Sequence, residues 1–381
     1  MRRQLIVAGI VALLAGLAAP SAKPSRGLIV GIFDEQATLG LPDWAYPQYK
    51  SLGVEALRVN LYWGGASGVA RKRRPANAVN PADPAYDWSQ YDAMVKRSKE
   101  NNIKVVFSIL WTPTWAVGGP VKKKNRAPAR MIDLRNFAYA AAKRYSGSFR
   151  PTGSSTPLPA VRHWLAWNEP NNPVFLRPQF LYAGNGRYKA VSPGIYTKMC
   201  NAIWSGIHLT GLGGEKVACG VTAPRGNNSG QQPRSSLSPI PFLRGMKRAG
   251  ARFDVYAHHP YYQHPGETPS MPPPARGTAV TLGNIGVLTS ELSRLYGPKR
   301  LWITEYGYQT KPPDRSFGVT FSKQALYLKQ AFAIARKNPR IDMMIWFLMK
   351  DEARIVGWQS GFFTASGRRK PSWLAFRRMP K

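Results

Sequence analysis

Residues 164–172 read WLAWNEPNN, an apolar run that stops abruptly on Asn168 and Glu169. A short, near-continuous hydrophobic run suits a strand covered on both faces, as in a parallel sheet, and a carboxylate directly after it belongs at the sheet's carboxyl edge. The pattern recurs at 301–308, LWITEYGY, where Glu305 ends the run. Six further runs complete the set: 28–33 (LIVGIF), 56–63 (ALRVNLYW), 105–111 (VVFSILW), 216–223 (KVACGVTA), 255–259 (VYAHH) and 343–350 (MMIWFLMK).

The segments between them carry helical signals. Over 87–101, Tyr91, Met94, Val95 and Ser98 fall on one side, with Lys96, Lys99 and Glu100 on the other. Asp133 is placed to cap an alanine-rich helix reaching Ser146, Ser192 and Pro193 open one ending near Leu209, and Ser322 begins another that stops before Pro339. Eight strands alternating with about eight helices predict an α/β fold, a (β/α)8 TIM barrel in a single domain. Three long connections, 64–86, 224–239 and 264–277, would gather on its carboxyl-terminal face, where such barrels build their sites.

The chain has 54 basic and 19 acidic residues, a net charge of +35, so it will associate with polyanions at low salt. It carries no zinc finger and no RNP strand, and no specific nucleic-acid partner is expected. Two basic runs, Arg71-Lys72-Arg73-Arg74 and Lys122-Lys123-Lys124 with Arg126 and Arg130, follow the second and third strands. They are expected on the active face flanking the cleft, favouring an anionic glycan or cell-wall surface; the alternative is ordinary solvated loop charge.

Arg2 and Arg3, an apolar stretch over 5–19 and small residues to Ala22 read as a secretory signal peptide, 1–22. The stretch is shorter than the roughly 20 residues a spanning helix needs, so 23–381 is expected to be released outside the cell as the barrel domain, with no membrane span. A monomer is expected. Cys200 and Cys219 either pair or sit as buried thiols. No residue cluster has metal-ligand spacing and no glycine-rich loop cradles a phosphate, so neither metal nor cofactor is expected.

Asn168-Glu169-Pro170 and Thr304-Glu305-Tyr306-Gly307 resemble the paired motifs of the clan A glycoside hydrolases, the cellulase-like family five and xylosidase-like family thirty-nine relatives about equally. The resemblance implies a carbohydrate substrate, with Glu169 as acid/base, Asn168 binding the sugar 2-hydroxyl and Glu305 as nucleophile. It further implies that Arg58 supports the nucleophile, that Trp346 is a subsite tryptophan, and that His259 and Tyr261 in HHPYY stand for the family's His-x-Tyr pair; His258 is the competing histidine. Trp63, Trp111 and Trp115, near strand ends, are candidates to stack on sugar rings, with core packing as the alternative.

Two carboxylates divide the work of glycoside hydrolysis, one protonated near neutrality and one ionised. The retaining outcome follows from the resemblance, since sequence gives no separation between the groups. The competing readings are a carbohydrate- or polyanion-binding barrel without turnover, and a transglycosylase.

Overall fold

The structure is a computed structural model in which residues 27–274 and 277–381 are described. The expected leader lies outside the described residues. Strand β2, Ala56–Tyr62, shows how the barrel is built. Leu57, Val59 and Leu61 belong to the large apolar layer that meets the helices, whereas Ala56 belongs to a separate inner cluster with Val106, Leu165, Ala218, Ala257 and Ile345. Period-two alternation therefore sends Arg58 inward, at 0% exposure.

The eight predicted runs are the eight barrel strands: β1 Ile29–Phe33, β2, β3 Lys104–Leu110, β4 His163–Ala166, β5 Lys216–Thr222, β6 Val255–His258, β7 Arg300–Tyr306 and β8 Ile341–Phe347. Each pairs in parallel with its sequence neighbours, and β8 closes on β1, giving a (β/α)8 barrel. Around it run α1 Pro42–Leu52, α2 Ser89–Glu100, α3 Met131–Arg144, α4 Ser192–His208, α5 Pro239–Arg248, α6 Ile285–Tyr296, α7 Phe321–Lys337 and α8 Pro371–Arg378. Helix α2 buries the four residues its periodicity selects.

Three local expectations change. Asp133 lies inside the first turn of α3 rather than capping it, because its carboxylate is drawn into pairs with Arg74 and Arg130. A small antiparallel hairpin, Phe180–Tyr182 with Tyr188–Ala190, precedes α4 unannounced. Of the two states left open for the cysteines, Cys200 of α4 and Cys219 of β5 form a disulfide across 6.1 Å between their Cα atoms. Among the described residues no helix is long and apolar enough to cross a membrane.

Two irregularities at the carboxyl ends of strands shape the cavity there. Between β7 and β8 the register slips twice: β8 carries an extra residue between Ile341 and Met343, and nearer the carboxyl end Ile303 pairs with Met344 but Tyr306 with Trp346, so β7 carries one extra residue there. Thr304 keeps the inward parity of Trp302, and the bulge lets Glu305 turn inward as well before Tyr306 returns to the helix layer. At the end of β5 another slip falls between Gly220 and Thr222, where Val221 has φ 45°. A Cβ at Gly220 would meet the Tyr256 ring at 2.3 Å, so only glycine fits there. The displaced Val221 carbonyl then accepts the Glu169 N–H at 2.9 Å.

Candidate active site

The Arg58 guanidinium is the hub of the cavity at the carboxyl face. Nη1 donates to Glu305 Oε1 at 2.7 Å and to the Thr304 carbonyl at 3.0 Å, and Nη2 donates to Asn168 Oδ1 at 2.5 Å. The Phe33 ring packs against it, 4.3 Å from centroid to guanidinium carbon. Fully buried, such a cation is stable only because carboxylate and carbonyl oxygens surround it. Glu305 Oε2 also accepts from the Tyr261 hydroxyl at 3.1 Å. Burial, then the neighbouring Glu305 and Glu169 carboxylates, push the Tyr261 hydroxyl well above its ordinary pKa, so it stays a donor.

Glu169 reaches the same space from β4. His259 is 3.1 Å from both Arg58 Nη1, through Nε2, and Glu169 Oε1, through Nδ1. A guanidinium only donates, so Nε2 accepts and the ring proton sits on Nδ1, facing Glu169. Burial lowers the His259 pKa to about 3, which keeps the ring neutral. Glu169 Oε2 accepts from the Asn172 amide at 3.0 Å. Burial nevertheless raises the Glu169 carboxyl to about 7, against the pull of Asn172 and of the Arg58 and Arg225 charges.

The duplicated histidines separate by parity. His258 points the other way, between Thr222 Oγ1 at 2.8 Å and the Val280 carbonyl at 3.0 Å, and ties β5 to the connection after β6. Glu169, Glu305, Asn168 and Tyr261 all line one cleft of about 1490 Å³, with Arg58 and His259 directly behind them.

The tryptophan expectations do not hold. Trp346 is 0% exposed on the helix-facing side of β8, donating to the Ser360 carbonyl, because inward positions on that strand are Met343, Ile345 and Phe347. Trp63 has the same outward parity and is sandwiched between Phe137 and Trp115. Trp111 is partly exposed but outside the cleft lining, stacked at 5.6 Å on Phe175, which does line it. The basic runs, too, are absent from the lining. Arg74 lies over Trp115 and pairs with Asp133, and Lys124 lies over Trp111, so part of this charge serves to hold the loops onto an aromatic shelf.

Sequence reasoning missed other cleft residues. Trp358, beyond β8, packs 5.3 Å from the Tyr261 and Phe347 rings. Its loop is pinned by the buried Lys370, which donates to Asp351 at 2.7 Å and to the Gln359 carbonyl at 3.0 Å. Glu35, just after β1, accepts from Tyr62 Oη at 2.7 Å and the Asn60 N–H at 2.9 Å. The phrase FDEQ gave no signal for it, and Arg225 and Arg234, in a proline- and glycine-bearing loop, gave none either.

One oxygen from each of Glu169 and Glu305 and a His259 nitrogen all lie within 4.8 Å of one another, a set that has the composition of a metal site. The Arg58 cation already satisfies Glu305 and the His259 lone pair, and a second cation would face it directly. The arrangement instead sets a carboxyl that holds its proton to near neutrality opposite a carboxylate paired with a guanidinium.

The chain shares its fold with glycoside hydrolases. It is similar to a glucosidase from Croceicoccus marinus, at TM-score 0.64 and 14% identity over 94% of this chain and 68% of that one. A family 39 glycoside hydrolase from the gut symbiont Bacteroides cellulosilyticus WH2 matches at TM-score 0.61 and 17% identity, over 92% of this chain and 63% of that one. Fungal β-1,4-galactanases match at TM-score 0.56 and 15% identity, over 93% and 100% respectively. At these identities the likeness establishes the barrel and nothing finer. No protein-family model matches the sequence, and no curated protein matches it either.

Proposed function

We propose that this protein is a retaining glycoside hydrolase acting on oligo- or polysaccharide, with Glu169 as acid/base and Glu305 as nucleophile. The spacing of the carboxylates carries the reading. One oxygen of each lies within 4.8 Å of one oxygen of the other, in keeping with the closely set carboxyl groups, roughly 5 to 5.5 Å apart, of retaining enzymes. The glycosidase fold of the solved neighbours agrees with it, and a cleft of about 1490 Å³ exceeds what one sugar ring fills.

In the first step Glu305 attacks the anomeric carbon while Glu169 gives its proton to the glycosidic oxygen, so the C–O bond breaks and an alcohol leaves. Water then attacks the glycosyl ester, returning its proton to Glu169 and freeing Glu305. Arg58 and Tyr261 orient Glu305. The Asn168 Oδ1 is held by Arg58, which leaves its Nδ2 to donate to a sugar hydroxyl. His259 orients Glu169 without carrying charge. The leader-like 1–22 segment and the Cys200–Cys219 disulfide support export to an oxidising compartment.

The first product, followed by NMR before mutarotation, is expected to keep the anomeric configuration of the substrate; inversion would refute the mechanism. The pH profile gives a second expectation. Glu169 must enter protonated, so kcat/KM falls as pH rises through about 7. Asn172→Ala removes a hydrogen bond that favours the charged form, so this limb moves to higher pH. A limb that stays put or moves down would remove Glu169 from the role of acid.

A further inference from the structure

The charges around the cleft are sorted by position in the ring of strands. The connections after β7, β8 and β1, which are neighbours, supply Asp314, Asp351, Glu352, Asp34 and Glu35. All are engaged: Asp34 by three backbone N–H groups, Glu35 by Tyr62 and Asn60, Asp314 by Ser316 and Phe317, Asp351 by Lys370, and Glu352 by the Trp358 N–H. Among the described residues, Lys350 is the one cation lining that arc.

The opposite arc, after β4 and β5, holds Glu169, Arg225 and Arg234. Among the described residues neither arginine has a carboxylate in ion-pairing range, and the lining contributed by this arc contains no carboxylate except Glu169 itself. Nor do these arginines hang from a slack loop. Asn171, two residues beyond Glu169 and 0% exposed, accepts from the Ala223 N–H at 2.8 Å and donates to the Leu237 carbonyl at 2.8 Å, gripping both ends of the connection. Within it, Asn227 donates to the Arg234 carbonyl at 3.1 Å and accepts from the Ser236 N–H at 3.0 Å.

Under the proposed function, on which this inference rests, Glu169 faces the glycosidic oxygen, so the wall beside it borders the leaving group. We propose that Arg225 and Arg234 form a subsite for a carboxylate carried by the leaving-group side of the substrate, making the protein selective for acidic, uronate-class glycans cleaved next to the acidic unit. Two exposed guanidiniums without counter-ions supply both steering and a planar, bidentate partner for a carboxylate. The basic surface elsewhere does not share this site, since Lys72 and Arg73 lie outside the cleft lining.

The test compares aryl glycosides of the best-accepted sugar bearing either a 4-carboxyphenyl or a 4-(methoxycarbonyl)phenyl leaving group. The readout is the ratio of their kcat/KM values, which cancels effects common to both substrates, including any change at Glu169. Arg225→Ala/Arg234→Ala is expected to lower the carboxylate-to-ester ratio by about 10-fold relative to the parent, and 0.5 M salt to lower it in the parent but little in the variant. Lys72→Ala/Arg73→Ala, which removes the same net charge, should leave the ratio at the parent value. A ratio unmoved by the first double variant, or moved equally by both, overturns the subsite while the hydrolase reading stands. Turnover of neither substrate by the parent overturns both.

Discussion

Glu305→Gln is expected to lower kcat on an activated aryl glycoside by roughly 10⁵-fold, about 7 kcal/mol of barrier, measured on the folded protein, and also to lower the melting temperature, because the buried Arg58 loses its carboxylate partner. The amide keeps the shape of the carboxylate and an oxygen for Arg58, with its NH2 turned toward the Tyr261 hydroxyl, but it cannot form the glycosyl ester. Added azide separates the roles of the two glutamates. In Glu305→Ala, azide occupies the vacated space and attacks directly, giving a glycosyl azide of inverted configuration. In Glu169→Ala, a good leaving group departs without an acid, the glycosyl ester accumulates, and azide needs no base to attack it, so the product is retained. A Glu305→Gln protein within about tenfold of the parent would place Glu305 outside the chemistry.

The second large effect concerns Arg58. Arg58→Met preserves much of the volume but strands Glu305, the Asn168 carbonyl and the His259 lone pair around a missing cation. Breaking one side of a buried pair typically costs about 3–5 kcal/mol, and that loss of unfolding free energy should appear as a lower urea midpoint at unchanged slope. Activity should fall by at least roughly 10²-fold, because the orientation of both Glu305 and His259 is lost. Arg58→Lys restores the charge but not the planar fork, so stability should recover further than kcat. A methionine variant as stable as the parent would mean that the guanidinium cluster is not what holds this end of the barrel.

Much of the barrel was legible because strands buried on both faces leave near-continuous apolar runs that polar loops interrupt. The hairpin at Phe180–Tyr182 and Tyr188–Ala190 was not, since its residues are largely exposed and its apolar stretch, 180–183, is only four residues long. Parity within a strand explains most of the errors at the site. Counting in twos from Ala56 sends Arg58 inward and Leu57, Val59, Leu61 and Trp63 outward, and counting from Met343 sends Trp346 outward and Phe347 inward. Trp63, Trp111 and Trp115 were assigned by nearness to strand ends and Trp346 by the family resemblance, and neither ground takes account of that rule. The same count from Val255 and Ala257 chooses His259 over His258. Glu35, Arg225 and Arg234 were invisible for another reason: loops have no period, and their inward aim depends on tertiary clamps such as Asn171.

The extra residue in β7 breaks parity where parity would have failed the protein. Counted strictly from Trp302, Glu305 would belong with Leu301 and Ile303 on the helix side, walled off from the cleft. Catalysis under the proposed mechanism is thus written into where the strand bulges as well as into its residue types. A barrel could keep both glutamate motifs, lose one position before Tyr306, and become a silent scaffold with an intact fold. Homologues are therefore better sorted into active and inactive by an insertion-sensitive comparison of this strand with β8 than by the presence of a glutamate alone.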